Sequence, residues 1–198
     1  MNFGILLVQG LVNSFGVTTM AAFAIGVKID TFAYMPAQDF GNAFSTYVAQ
    51  NKGANKDERI RKGFRSAILC SSMFSVLLSV LVFLFAPNIV AMFSDADANV
   101  IAQGAEYLRI EGVFYILIGF LFIHYGFYRG LGHFKTSIFL TVASLGLRVI
   151  LSYLLVWFGM GVTSIWWSIV IGWAVADAFG FYIYKHWISP KLLCGKVE

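Results

Sequence analysis

Apolar residues run along this chain in long unbroken blocks separated by short polar turns. Six blocks stand out, at residues 2–15, 18–50, 66–86, 100–128, 136–158 and 162–184. All but the first reach the ~20 residues that a helix needs to cross a hydrocarbon core of ~30 Å. They are continuous rather than alternating in short pieces of ~10 residues, which argues against a barrel. Only helices and closed barrels satisfy the backbone in lipid. The pattern therefore predicts an all-α integral membrane protein with six transmembrane helices forming one bundle.

Details of the blocks sharpen this. The first holds only about fifteen apolar residues against the ~20 of a full span, with no basic region before it as a signal peptide requires. The chain reads as beginning inside a helix, as a truncation or fragment would. The second block is too long for a perpendicular span, and Pro36 is expected to kink it. Pro87 is expected to end the third, leaving Asn88 to Ser94 as a short amphipathic piece along the interface.

Composition makes lipid the fitting solvent. The 198 residues are 59% hydrophobic and only 12% charged, about half the charge of a soluble domain, and mean hydropathy is +0.77. The net charge of +4 could point to nucleic acid, but 11 of the 14 Lys and Arg residues fall in three short stretches. Lys52, Lys56, Arg59, Arg61, Lys62 and Arg65 follow the second block, Arg129 and Lys135 the fourth, and Lys185, Lys191 and Lys196 the sixth. The turns near Gly16, Asp95 and Gly159 carry none. This alternation matches six crossings, with the basic loops and both termini cytoplasmic. It predicts a multi-pass protein of the cell membrane, in bacteria the inner membrane, with membrane lipid as partner and no nucleic acid.

The chemistry of enzymes finds little footing. His124, His133 and His186 lack zinc spacing, Cys70 and Cys194 read as free thiols, and no phosphate loop or nucleophile elbow occurs. No enzyme activity, metal or cofactor is expected.

Charges inside apolar blocks are costly, at least ~2.5–3.5 kcal/mol each at the bilayer centre, so each is a functional candidate. On an ideal helix, Lys28, Asp39, Asn42, Thr46 and Gln50 fall within about 40° of one line, a polar stripe expected to line a cavity or to form a hydrogen-bonded seam. Asp30 points away from it and reads equally as a snorkelling interfacial carboxylate. In the fifth block Thr141, Ser144, Arg148 and Ser152 share a face. Arg148 needs a counter-charge, and Asp39 or Asp177 is expected to supply it. Trp166, Trp173, Asp177 and Tyr184 form a stripe in the sixth block, suited either to a cationic ligand or to packing. Glu111, with Tyr115, Ile118 and Phe122 continuing its face, is a carboxylate able to exchange a proton. His124 could titrate as well, and Arg109 is expected to pair with Glu106 at i,i+3.

Several stretches together resemble a known family. They are Val12-Asn13-Ser14-Phe15-Gly16, Ala21-Ala22-Phe23, Pro36, Gln50-Asn51-Lys52-Gly53-Ala54 and Glu58-Arg59-Ile60. Farther on come Pro87-Asn88-Ile89, Tyr128-Arg129-Gly130-Leu131-Gly132, Leu147-Arg148-Val149, and Gly161 with Ile165-Trp166-Trp167 and Gly172-Trp173. The chain resembles the C-terminal lobe of the multidrug and toxic compound extrusion (MATE) family over nearly its whole length. The resemblance implies six helices equivalent to the seventh to twelfth of a twelve-helix antiporter. Such proteins export organic, often cationic, compounds by alternating access, driven by Na⁺ or H⁺. It also implies a missing N-terminal lobe as partner, without which the chain is not expected to transport. Some members place acidic cation-site residues midway along the seventh and tenth helices, where this chain offers Gln9 and the Tyr115 region. Asp39, Asn42, Thr46, Glu111, Tyr115, Arg148, Trp173, Asp177, Gln9 and Asn13 are the candidates for a substrate or cation cavity. The alternatives are a lipid-linked oligosaccharide flippase of the same broad superfamily, or a non-transporting membrane fragment.

Overall fold

A computed structural model describes residues 2–93 and 97–194. The chain folds as α1 (Asn2–Asn13), α2 (Val17–Gly53), α3 (Asp57–Ala91), α4 (Ala98–Val113), α5 (Tyr115–Gly130), α6 (Phe134–Trp157) and α7 (Thr163–Ile183), then a π-helical turn (Tyr184–Ile188) and α8 (Ser189–Cys194). No strand occurs among the described residues. By length and composition α3, α6 and α7 can each cross a membrane, and α4 with α5 makes a fourth span bent by 54°. The 12-residue α1 and the 37-residue α2 do not meet that criterion. α1 is short, and the polar positions of α2 dilute its apolar character.

The third block differs most from its expected bounds. α3 is 35 residues long and runs through Pro87 to Ala91, so Pro87 does not end it and Asn88 starts no separate interfacial piece. The reason is packing. Val90, in the turn beyond the proline, is fully buried, and its Cγ1 would lie 2.9 Å from a Cβ placed on Gly104 of α4. That contact holds the last turn in place although Pro87 removes a backbone donor. Ser94, the turn at Asp95 and the basic Lys196 lie outside the described residues. α3 also starts earlier than expected. Asp57 and Glu58 suit the positive end of the helix dipole and Ile60 and Phe64 are buried, so the basic residues ride on the outer face of the same helix. Its middle turns Leu69, Met73, Leu77 and Leu84 outward, each at least 60% exposed, an apolar face that suits lipid.

α2 and α5 form the centre. A Cβ at Gly41 would stand 2.6 Å from the Phe122 carbonyl oxygen, and one at Gly126 would overlap the Gly41 carbonyl oxygen. Only glycine lets these backbones meet, the usual device for joining helices in a bilayer. Around them lie two apolar clusters. One joins Phe23, Tyr107, Tyr115, Ile165, Trp166 and Trp173. The other joins Phe44, Phe64, Phe127, Tyr128 and Leu140 nearer the basic loops.

Candidate functional site: a carboxylate pair at a helix break

The fourth block was expected as one helix over 100–128. The chain instead breaks at Phe114, where α4 gives way to α5. Phe114 N–H donates to the Glu111 carbonyl at 2.9 Å, a tightened final turn. Non-helical backbone at membrane depth is tolerated only where it is buried in protein or lines a cavity. Phe114 itself is half-buried, but Glu111 and Tyr115 on either side of the break are buried, and Glu111 there faces the buried Asp30.

Tyr107 and Glu111 sit one turn apart on α4, and Tyr115 opens α5. Their four-residue spacing keeps them on one face. That face meets Asp30 on α2. Tyr107 Oη donates to Asp30 Oδ2 at 2.6 Å, and Tyr115 Oη donates to Asp30 Oδ1. Asp30 and Glu111 are each 1% exposed and near enough for their charges to act on each other. Aromatic packing fixes the tyrosines from behind. Trp166 stacks on Phe23 at 5.5 Å and meets the Tyr107 ring edge-on at 4.9 Å. A Cβ on Gly26 would collide with that Tyr107 ring.

Arg148 on α6 is the basic group whose charge acts on both carboxyls. It is buried, and its Nε has no hydrogen-bond partner, as is true of Glu111 Oε1. A narrow cleft of about 50 Å³ reaches it, lined by Tyr34, Phe122, Tyr125, Ser144, Arg148 and Trp173 among others. Chemically, two ionised carboxylates in contact in an apolar site repel strongly. A shared proton or a small monovalent cation relieves that repulsion, and the two tyrosine hydroxyls hold Asp30 in a fixed orientation to receive either. Among the described residues no group of three or more His, Cys, Asp and Glu side chains has the arrangement of a metal site.

The structure gathers some of the expected residues and scatters others. Glu111, Tyr115, Arg148 and Trp173 converge on this region. Asp39, Asn42 and Thr46 are exposed on another face of α2, where Asn42 Oδ1 accepts from Arg129 Nη2 at 2.6 Å. Gln9 is half-buried on α1 and Asn13 is exposed at its end. Neither Asp39 nor Asp177 neutralises Arg148. Asp39 is exposed, and Asp177 faces α5, where its Oδ1 lies 3.2 Å from His124 Nδ1. Arg109 does not pair with Glu106 either. It lies over the Phe83 ring at 5.9 Å, while Glu106 accepts from the Thr163 hydroxyl at 2.9 Å. Cys70 is a free, exposed thiol.

Sequence reasoning set Asp30 apart from the stripe but left its role open. The signal for it was the i, i+4, i+8 series Tyr107, Glu111, Tyr115, which supplies two phenols and a carboxyl to one buried point.

Comparisons with known proteins agree with this architecture. The MatE family model matches residues 1–154. The probable multidrug resistance protein YpnP of Bacillus subtilis is 25% identical over 196 residues, covering 98% of this chain and 44% of that protein. The probable multidrug resistance protein NorM of Thermotoga maritima is 23% identical over 165 residues, 82% of this chain and 35% of that protein. A solved transporter of the MOP superfamily from Pyrococcus furiosus, described as having a binding pocket of reverse polarity, superposes with TM-score 0.90 at 24% identity over 98% of this chain and 44% of that one. An outward-facing multidrug resistance MATE transporter superposes with TM-score 0.84 at 19% identity over 96% of this chain and 42% of that one. The chain thus spans less than half the length of these relatives. With the family model covering most of its residues, this all-α membrane lobe belongs to the MatE family, the multidrug and toxic compound extrusion transporters.

Proposed function

We propose that this chain is the C-terminal six-helix lobe of a cation-coupled multidrug efflux antiporter. It works with an N-terminal lobe to export organic, often cationic, compounds by alternating access. The coupling ion, Na⁺ or H⁺, binds at Asp30 and Glu111. The carrying observation is that pair of buried carboxyls at a break in a membrane helix, with Asp30 held by two tyrosine hydroxyls. Transporters place coupling-ion sites at such discontinuities, where rocking of one lobe against another changes access. The positions of the basic residues support a bacterial inner-membrane location with both termini cytoplasmic.

One observation favours a second reading. A buried arginine, Arg148, stands at the cleft with an unpartnered Nε, which suits an anionic cargo such as the phosphate of a lipid-linked oligosaccharide. Proteoliposomes containing this chain together with its complementary lobe separate the two. Under the leading reading an imposed Na⁺ or H⁺ gradient drives uptake of a fluorescent organic cation, and Asp30→Asn or Glu111→Gln lowers that rate more than tenfold. Gradient-independent movement of a lipid-linked sugar, with no cation transport, would overturn it in favour of the flippase.

A further inference from the structure

A second pair of buried ionisable side chains lies away from the break. His124 stands about 13 Å farther along α5 than Tyr115, at 1.5 Å per residue, toward the basic end of the bundle. Its ring is fully buried, and Asp177 of α7 is 3% exposed. The room for the imidazole comes from Gly180, where a Cβ would lie 2.9 Å from His124 Cγ. Phe181 meets the ring edge-on at 4.4 Å, and Phe64 of α3 and Tyr128 of α5 flank it at 5.9 and 6.2 Å.

The hydrogen-bond inventory is incomplete in a telling way. His124 Nδ1 and Asp177 Oδ1 meet at 3.2 Å, but His124 Nε2 and Asp177 Oδ2 have no partner. Two buried, unpartnered polar atoms flank one satisfied contact, and each is a place where a proton can enter or leave.

We infer that His124 and Asp177 form a second proton-binding site, distinct from the Asp30–Glu111 pair. With one proton on the imidazole and none on the carboxyl, the pair carries a net charge of −1. One further proton, on His124 or on Asp177, makes it neutral overall. Tyr125 and Tyr128 face it from α5, and the Tyr128 hydroxyl is committed to the Gly180 carbonyl at 2.6 Å. Tyr125 turns its hydroxyl toward Thr141 and Ser144 of α6. From α3 comes Phe64, while Arg61 and Arg65 act on Tyr184 in the π-helical turn. No basic side chain other than His124 is paired with Asp177 among the described residues, so the uncompensated charge of the deprotonated pair is borne by an apolar α5–α7 contact. Arg148, which serves the first site, does not serve this one. A proton-loaded pair and a proton-free pair therefore differ in how α5 and α7 attract each other.

The inference does not depend on cation-coupled transport and can be tested on the whole chain in detergent. Proton uptake is followed potentiometrically over roughly pH 5 to 9, the range of perturbed His and carboxyl groups, in an Asp30→Asn, Glu111→Gln background that silences the first site. That background is expected to take up one proton more than the same background with Asp177→Asn added. Equal uptake by the two would overturn the inference. Should Asp177→Asn lose its helical circular dichroism, His124→Gln decides. It keeps a hydrogen-bonding amide beside Asp177 but cannot titrate, and it is expected to move the midpoint by about one pH unit or more. An unmoved midpoint would mean that the pair binds no proton as a unit.

Discussion

Helix α2 carries acidic groups on two faces, and the faces behave in opposite ways. Asp30 is 1% exposed and accepts from two tyrosine hydroxyls. Asp39, with Lys28, Asn42, Thr46 and Gln50, lies on an exposed face. On the first face Asp30 carries the charge, and it is enclosed by Phe23, Tyr107 and Trp166 packing. The second mixes these polar groups with the exposed Phe32 and Met35, and its polar groups are free to exchange hydrogen bonds with whatever lies against them. A carboxyl that is removed from water must be compensated by neighbours built for it, whereas one left accessible need not be. The difference separates a built site from an exposed face on the same helix.

The sharpest way to break this contrast is Asp30→Ala. It strands two buried phenol hydroxyls, each at a cost of about 1–3 kcal/mol, and leaves Arg148 with less counter-charge. A loss of about 3 kcal/mol is expected in thermal or denaturant unfolding of the detergent-solubilised chain. A loss no larger than that of a surface substitution would mean that the tyrosines do not depend on Asp30.

Backbone contact gives the next effect. Gly126→Ala places a methyl group on the Gly41 carbonyl oxygen, and neither helix backbone can move without disturbing the α2–α5 seam that carries Asp30. Overpacking of this kind costs about 1–3 kcal/mol. Gly146→Ala on α6, where an added Cβ meets nothing within 4 Å, serves as the control and is expected to be neutral or slightly stabilising through helix propensity. Equal effects at the two glycines would dissolve the argument that close approach positions the site. A smaller step is Tyr115→Phe, which removes one of the two donors to Asp30 and is expected to cost about 1 kcal/mol. Tyr107→Phe should behave alike, with the two losses coupled in a double-mutant cycle because they share one acceptor.

How much of this could be read from the chain follows physical lines. The helical, membrane-embedded character was legible, because hydropathy over twenty residues is a summed property that no single contact overturns. The end of α3 was not. Pro87 is a local signal, and the packing of Val90 against Gly104 is a contact between residues distant in sequence. The break at Phe114 was hidden for a related reason: Gly112 precedes it, but glycines also lie inside α2, α5 and α7, where the helix continues unbroken. Glu111 and Tyr115 were legible as one face of a helix. That Asp30 completes them depended on how α2 rotates against α4, which periodicity alone does not set. Periodicity pointed to the exposed stripe instead. Asp177 was legible as a costly charge, but it stood with Asp39 as one of two alternative partners for Arg148, because depth along a helix is set by the sequence while azimuth is not.

The smallest expected effect lies on the exposed stripe and tests the contrast from its other side. Asp39→Asn with Thr46→Ala removes a charge and a hydroxyl from the accessible face of α2 without touching any hydrogen bond described there. Substitutions of that type usually stay within ±0.5 kcal/mol, and that is the change expected in unfolding of the isolated chain. Adding Asn42→Ala raises the stake only slightly, because Arg129 loses the 2.6 Å partner at Asn42 Oδ1 but keeps Ser45 Oγ at 3.3 Å and access to water. A loss well beyond 1 kcal/mol in the triple variant would show that the stripe is a structural seam and not an accessible face. It would also remove the distinction between the two sides of α2, because both would then be held by buried polar partners.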